Sequence, residues 1–289
     1  MRVNNHNRLH AWMGNNAIIG NLTLDQLVLP GSHDSGSHQN RPAHQQVQLR
    51  QEITQDVSPM DQVRAGIRVL DLRVQFCPAY KTGDPRRFQL FHLNTTGQSL
   101  EDDLITPLLE YYDEPDTQRE MIILDFHELK DFTPALDQEF QAMLIERLGS
   151  RCLTYDLLHK SLIYLWRDHP GRTLVLSYQG RPHHPQFCDP VNQCWIGSNT
   201  PTAATLKTFM DEVATERKPE GELRAIQCAK YVLPMFVPDD FSDKVDLWFH
   251  SEDEDSYIQQ FFIINTDWSL RSRIVANCIH ASVVRAMNA

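Results

Sequence analysis

Leu27-Val28-Leu29-Pro30-Gly31-Ser32-His33-Asp34-Ser35-Gly36 is the stretch on which the fold turns. An apolar run, read as a strand over Leu24 to Leu29, breaks at Pro30-Gly31, and a histidine and a carboxylate follow at once. Pro and Gly end regular structure, so His33 is expected on a loop just past a strand end. In α/β barrels reactive groups collect at that edge. Three later stretches repeat the event: Leu70-Asp71-Leu72-Arg73, Phe91-His92-Leu93-Asn94 and Ile264-Asn265-Thr266-Asp267. Together they supply two histidines, an arginine and several carboxylates. That set suits acid–base attack on a phosphodiester and needs no serine or cysteine nucleophile.

Outward from this stretch the chain alternates strands with helices. Residues 1–20 form a polar arm with an apolar patch at Trp12-Met13 and Ala17-Ile18-Ile19, suited to plug the bottom of the fold. Residues 37–59 read as loop and short helix. Met60 to Ala65 reads as a helix end closed at Gly66. Arg68 to Gln75 alternates as a strand, and Phe88 to Phe91 is a short third strand. Ser99 caps a helix, with acidic residues at its positive end. Met121 to Phe126 is a strand covered on both faces, and Thr133-Pro134 opens the next helix. Thr173 to Tyr178 and Leu223 to Cys228 are further strands, with a long Pro/His-rich loop over 180–201 before the helix Ala203 to Val213. Val245 to Phe249 is a candidate strand, Phe261 to Asn265 the last one, and Ser269 caps the final helix. Seven or eight strands alternating with helices indicate a parallel sheet closed into a (β/α) barrel.

The 289 residues, 41% of them apolar, can bury a substantial core. A net charge of −11, with no Lys/Arg block, argues against nucleic acid and against broad attraction to anionic membranes. It leaves open brief docking through apolar side chains. Tyr231-Val232-Leu233-Pro234-Met235-Phe236-Val237-Pro238 is either a rim loop that enters a lipid interface or a buried segment between two strands. The six cysteines form no C-x-x-C pair, so a structural zinc is not expected. Cys188 and Cys194 stand close enough in sequence to bridge, and buried thiols are the commoner arrangement. The polar N-terminus lacks the apolar core of a signal peptide, and no run reaches the ~18 apolar residues of a membrane span. A cytoplasmic or secreted monomer is expected, the cytoplasm favoured.

Two histidines permit a general base and a general acid in one turnover, each oriented by a carboxylate, with Asp34 and Asp267 available. Asp71 and Arg73 lie two apart on one strand and share a face, so a structural ion pair is the competing reading for them. Arg73 offers a permanently charged fork for phosphate oxygens. Asp125 ends an apolar strand, either within the site or as a cap.

Five motifs in order carry a family resemblance: Leu29-Pro30-Gly31-Ser32-His33-Asp34-Ser35, Gly66-Ile67-Arg68-Val69-Leu70-Asp71-Leu72-Arg73, Phe91-His92, Ile122-Ile123-Leu124-Asp125-Phe126 and Ile263-Ile264-Asn265-Thr266-Asp267. The sequence resembles the X domain of phosphatidylinositol-specific phospholipase C, in its single-domain bacterial or X-domain-only form. The resemblance implies an α/β fold, a distorted and incompletely closed TIM barrel, with residues 1–289 as one catalytic unit. It implies that His33, oriented by Asp267, takes the proton of the inositol 2-hydroxyl. His92, aided by Asp34, protonates the departing diacylglycerol, and Arg73 stabilises the charge at phosphorus. Asp71, Asp125 and His127 are expected at the headgroup, with Tyr178 and Gln227 placed there by position alone.

Calcium-dependent members of the family carry an acid where Arg73 stands, Asn where Asp34 stands and an acid where His127 falls, with Glu128 next door. Bacterial relatives have lysine near His127. No metal is therefore expected, calcium at Asp34, Asp71 and Asp125 being the alternative cofactor. The expected partner is phosphatidylinositol or a related phosphodiester lipid, met at a transient membrane contact. Two other readings are a non-catalytic inositol-lipid binding module and a metal-dependent glycerophosphodiester phosphodiesterase. The latter resembles His-Arg and Glu-x-Asp pairs where this chain has His33-Asp34 and Asp71-x-Arg73.

Overall fold

The computed structural model describes residues 9–39, 52–93, 95–180, 184–197, 202–230, 239–251 and 253–289. The apolar segment 231–238 lies outside them. Among the described residues, eight parallel strands follow the order β7-β6-β5-β2-β1-β10-β9-β8. These are β1 (Leu29–Ser32), β2 (Val69–Phe76), β5 (Ile122–Lys130), β6 (Leu174–Tyr178), β7 (Phe187–Cys188), β8 (Asn192–Cys194), β9 (Arg224–Cys228) and β10 (Ile263–Thr266). Two more, β3 (Phe88–His92) and β4 (Thr95–Ser99), form an antiparallel hairpin on the upper half of β2. β7 and β8 are the two ends of one stretch interrupted at Asp189-Pro190-Val191. Its start pairs with β6 and its end with β9. Among the described residues β7 and β8, the two ends of the sheet, are not paired with each other, so the TIM-like ring stays open within this split segment, as expected of a distorted, incompletely closed barrel.

Side-chain alternation divides the strands into three zones. Leu29, Val69, Ile123, Val175, Ala225 and Ile263 meet inside the ring in one apolar cluster, which the arm residues Trp12 and Met13 also enter. Their odd-numbered neighbours two residues on are Gly31, Asp71, Asp125, Ser177, Gln227 and Asn265, a polar layer one step nearer the carboxyl ends. The intervening residues, such as Leu70, Leu124, Leu176, Ile226 and Ile264, face the helices in a second cluster. Barrel interiors are filled by such layers, and chemistry belongs to the carboxyl end. At the opposite end the Trp12 indole N–H donates to Gly66 O at 3.0 Å, and the buried Arg68–Glu120 pair lies beneath it.

Local signals set the outer elements. Ser58 Oγ caps Pro59–Arg64 by accepting from Asp61 N–H, and Gly66 ends that turn at φ +108°, where a Cβ would strike Val275. Ser99 accepts from Asp102 N–H at 3.0 Å, and Thr133 caps Pro134–Leu148.

Four expectations are corrected. Leu24–Gln26 is a 3-10 turn, because Thr23 N–H donates to Gln26 Oε1 at 2.9 Å, and the strand starts only at Leu29. The third strand is antiparallel and belongs to the hairpin. Val245 to Phe249 lies mainly in the helix Ser242–Trp248, since Phe241, Val245 and Phe249 are buried at helical spacing. Ser269 does not cap the last helix, which begins at Ile274; it bonds Gln55. All six cysteines are unbridged, Cys188 and Cys194 included.

Candidate active site

His33 opens the turn after β1 and is buried. The turn is compact because Gly31 and Gly36 carry no Cβ: one at Gly31 would overlap Asn265 Oδ1, and one at Gly36 would meet Leu90 Cβ at 2.9 Å. Gly36 thereby lets the turn lie against β3, whose last residue is His92. Backbone conformation is unusual at these points. Asp34 (φ +43°), Leu93 (φ +54°) and Trp268 (φ +49°) occupy the left-handed region, and each directly follows His33, His92 or Asp267. Left-handed non-glycine residues concentrate at functional sites, where the surroundings hold them.

The side chains converge on Asp34. His33 Nδ1 lies 2.8 Å from Asp267 Oδ1, and its Nε2 lies 3.3 Å from Asp34 Oδ2. His92 Nδ1 donates to Glu52 O at 2.7 Å, and its Nε2 lies 3.0 Å from the same Asp34 oxygen. Arg73 places Nε on the other oxygen of Asp34 and NH1 3.2 Å from Glu128 Oε2. Both imidazoles are therefore anchored through Nδ1 and present Nε2 to one point, beside a guanidinium. In neutral His33 the Nδ1 proton is held by Asp267, which leaves Nε2 bare as a base.

Burial alone would lower the His33 pKa, but the charges of Asp34 and Asp267 outweigh it and raise it to about 9. Burial likewise opposes ionisation of Asp34, yet Arg73 and the histidines His33, His92 and His127 hold it far below the usual carboxylate range. Asp125 goes the other way. Burial first, and then the charge of Asp71, push it up to about 7.

The solved structures similar to this chain include phosphatidylinositol-specific phospholipase C from Listeria monocytogenes, with a TM-score of 0.70 at 17% identity, over 94% of this chain and 98% of that one. A pentafluoro-Phe form of the Staphylococcus aureus enzyme matches with a TM-score of 0.70 at 13% identity, over 94% and 98%. A third, described as concerning membrane binding by the S. aureus enzyme, matches with a TM-score of 0.58 at 14% identity, over 94% and 98%. The fold is that of bacterial phosphatidylinositol-specific phospholipase C. No protein-family model and no curated protein sequence matches the chain.

In this phospholipase C fold, nine of the ten residues singled out from sequence gather at one end of the barrel. Asp71 Oδ2 accepts from Asp34 N–H at 3.4 Å, and Asp71, Asp125 and His127 bring their polar atoms within 4.8 Å of one another. His127 sits where the β2–β5 register shifts, so that Arg73 pairs with Glu128. Gln227 Nε2 donates to Gln193 Oε1. The exception is Tyr178. Its hydroxyl donates to Asp137 on the outer helix, and its ring packs on Phe126, Phe140 and Phe187. The alternation along β6 turns Ser177 inward instead, and Ser177 Oγ donates to Asp125 Oδ1 at 2.8 Å.

Sequence reasoning also missed Gln193, whose amide links Asp125, Gln227 and Asn265. It lies in the aperiodic stretch 180–201, and only the pairing of β8 with β9 brings it inward.

Calcium at Asp34, Asp71 and Asp125 would compete with partners these carboxylates already have. It takes six to eight oxygen ligands. Both Asp34 oxygens face cationic groups, and both Asp125 oxygens accept from Ser177 and Gln193. Of the Asp71 carboxylate, Oδ1 is the oxygen with no hydrogen bond.

Proposed function

We propose that this protein is a phosphatidylinositol-specific phospholipase C-type phosphodiesterase that works without a metal. The observation that carries the reading is the pair of Nδ1-anchored imidazoles whose Nε2 atoms meet at Asp34 Oδ2, with Arg73 on the other oxygen. His33 Nε2 takes the proton of the inositol 2-hydroxyl, and that oxygen bonds to phosphorus. The phosphorus–oxygen bond to diacylglycerol breaks, and His92 Nε2–H protonates the departing oxygen. Arg73 meets the growing negative charge on the phosphoryl oxygens. The products are diacylglycerol and inositol 1,2-cyclic phosphate. Slower hydrolysis of the cyclic ester follows, with the two histidines exchanging roles.

The polar floor made by Asp71, Asp125, Gln193 and Gln227 offers acceptors and amides suited to the hydroxyls of a sugar-like ring. At the rim, Leu93 beside His92 is 53% exposed and Trp195 beyond β8 is 45% exposed, which suits brief contact with a lipid surface. Among the described residues no helix is long and apolar enough to cross a membrane. The test is 31P NMR of the protein with dispersed phosphatidylinositol. A cyclic phosphodiester resonance that appears before any monoester is the expected result; a monoester alone, or no turnover, would refute the reaction class.

The proposed roles predict a pH dependence. The base must be neutral, and His33 is cationic below about 9, so kcat/KM for a substrate whose leaving group needs no proton is expected to rise with pH up to that value, by about tenfold per unit on the lower limb. Asp267→Asn removes one of the two anions that hold the proton. It should move this limb to lower pH and reduce the plateau by misorienting the ring. A limb that stays in place would exclude His33 as the group that titrates.

A further inference from the structure

We infer that Gln55 is a positioning residue: its side-chain amide sets the spacing between the loop that carries His33 and the loop that carries Asp267. The inference rests on the reading of His33 as the proton acceptor. Gln55 is 1% exposed, in the segment between β1 and β2 that the sequence marks only as polar loop. Its Nε2 donates to His33 O at 2.8 Å and to Thr266 O at 2.9 Å. Its Oε1 accepts from Ser269 N–H at 3.1 Å and from Ser269 Oγ at 2.9 Å. One planar group therefore holds both sides of the 2.8 Å contact between His33 Nδ1 and Asp267 Oδ1.

The adjoining residues act on the same loops. Glu52 O receives the His92 Nδ1 proton, Thr54 Oγ1 donates to Asp34 O at 3.0 Å, and Thr54 O accepts from Trp268 N–H at 2.7 Å. Residues 52–55 thus bond the backbone or ring of His33, Asp34 and His92 and the backbone on both sides of Asp267.

The chemistry demands an amide. The position uses two donors and a doubly accepting oxygen on one planar group. An ionised carboxylate would set acceptors against two carbonyls, asparagine is one methylene too short to span both loops, and methionine fills the volume without bonding. Because the side chain is buried, its unmade bonds are not readily replaced by bulk solvent. The charged and titratable groups around His33 are Asp34, Asp267 and Asp71, with Arg73 and His92 behind Asp34 and Cys228 beside Asp267. None of them is altered by a change at Gln55, so a change in His33 would report its distance from the carboxylates.

The experiment is an NMR titration of the His33 imidazole in the full chain without substrate, paired with steady-state kinetics. Wild-type His33 is expected to titrate at about 9, held there by Asp34 and Asp267. In Gln55→Met the midpoint should fall toward 6.5 by about one unit or more. The rate constant kcat should fall by about 10²-fold, and KM should change by less than about threefold. A folded Gln55→Met protein with an unmoved midpoint would overturn the assignment, whatever its loss of thermal stability. Should that variant not fold, Ser269→Ala removes only the Oγ contact; a smaller downward shift supports the assignment and an unmoved midpoint overturns it. The titration needs no turnover. Failure of the catalytic reading would show separately, as a wild-type protein that lacks phosphodiesterase activity while the midpoint still moves in Gln55→Met.

Discussion

Replacement of either His33 or His92 is expected to lower turnover of phosphatidylinositol by about 10²- to 10⁴-fold, because each moves a proton in the transition state. The two losses should differ in kind. A nitrophenyl leaving group departs without a proton, so a substrate that carries one should partly rescue a His92 variant and leave a His33 variant inactive. Equal loss on both substrates would refute the acid assignment. The choice of variant matters because both rings are buried against Asp34. Removing one partner of a buried ion pair costs on the order of several kcal/mol of stability. His33→Asn keeps an amide nitrogen near the Asp267 carboxylate and is the better test than alanine. Its melting temperature, measured alongside, separates lost chemistry from lost folding.

The second large effect is expected at Arg73. Arg73→Met should lower kcat by about 10²- to 10³-fold, the usual size for loss of one preorganised group facing transition-state charge. Arg73→Lys should recover only part of this. A single ammonium cannot reproduce a fork that reaches Asp34 with Nε and Glu128 with NH1. On the proposed reading the guanidinium takes the place of a metal's positive charge, so excess EDTA should leave the wild-type rate unchanged. A rate abolished by chelator and restored by calcium would overturn the metal-free assignment.

Much of this geometry was legible in the chain, and the reason is physical. His33 and Asp267 each directly follow a short strand, β1 and β10, and in a parallel barrel that position lies at the carboxyl end. Pro30-Gly31, read as the break that ends the first strand, instead lie within β1 and pair with Ile264 and Asn265, so the turn begins only at His33. Period-two alternation put Asp71 and Arg73 on one face. The same alternation, applied to β6, selects Ser177 over Tyr178; position alone suggested the tyrosine, and its parity turns it outward to Asp137. Val245 to Phe249 was ambiguous because a short apolar run is shared by strands and buried helices, and the spacing of Phe241, Val245 and Phe249 decided for the helix. Gln193 and Gln55 left no local signal. Each lies in an aperiodic polar stretch, and each gains its role from partners far off in the chain, such as Ser269 for Gln55 and Asn265 for Gln193.

The pairing of β1 with both β2 and β10 bears on the order in which a nascent chain becomes competent. β1 spans only Leu29–Ser32, and Asp267 reaches His33 across a sequence separation of 234 residues. Local contacts can fold early, but so long a closure must wait for the last strand to emerge. An N-terminal fragment therefore carries both histidines and Arg73 with no carboxylate at His33 Nδ1. During synthesis the earlier strands can assemble while His33 still lacks its carboxylate partner, which arrives only once the segment that carries Asp267 has emerged.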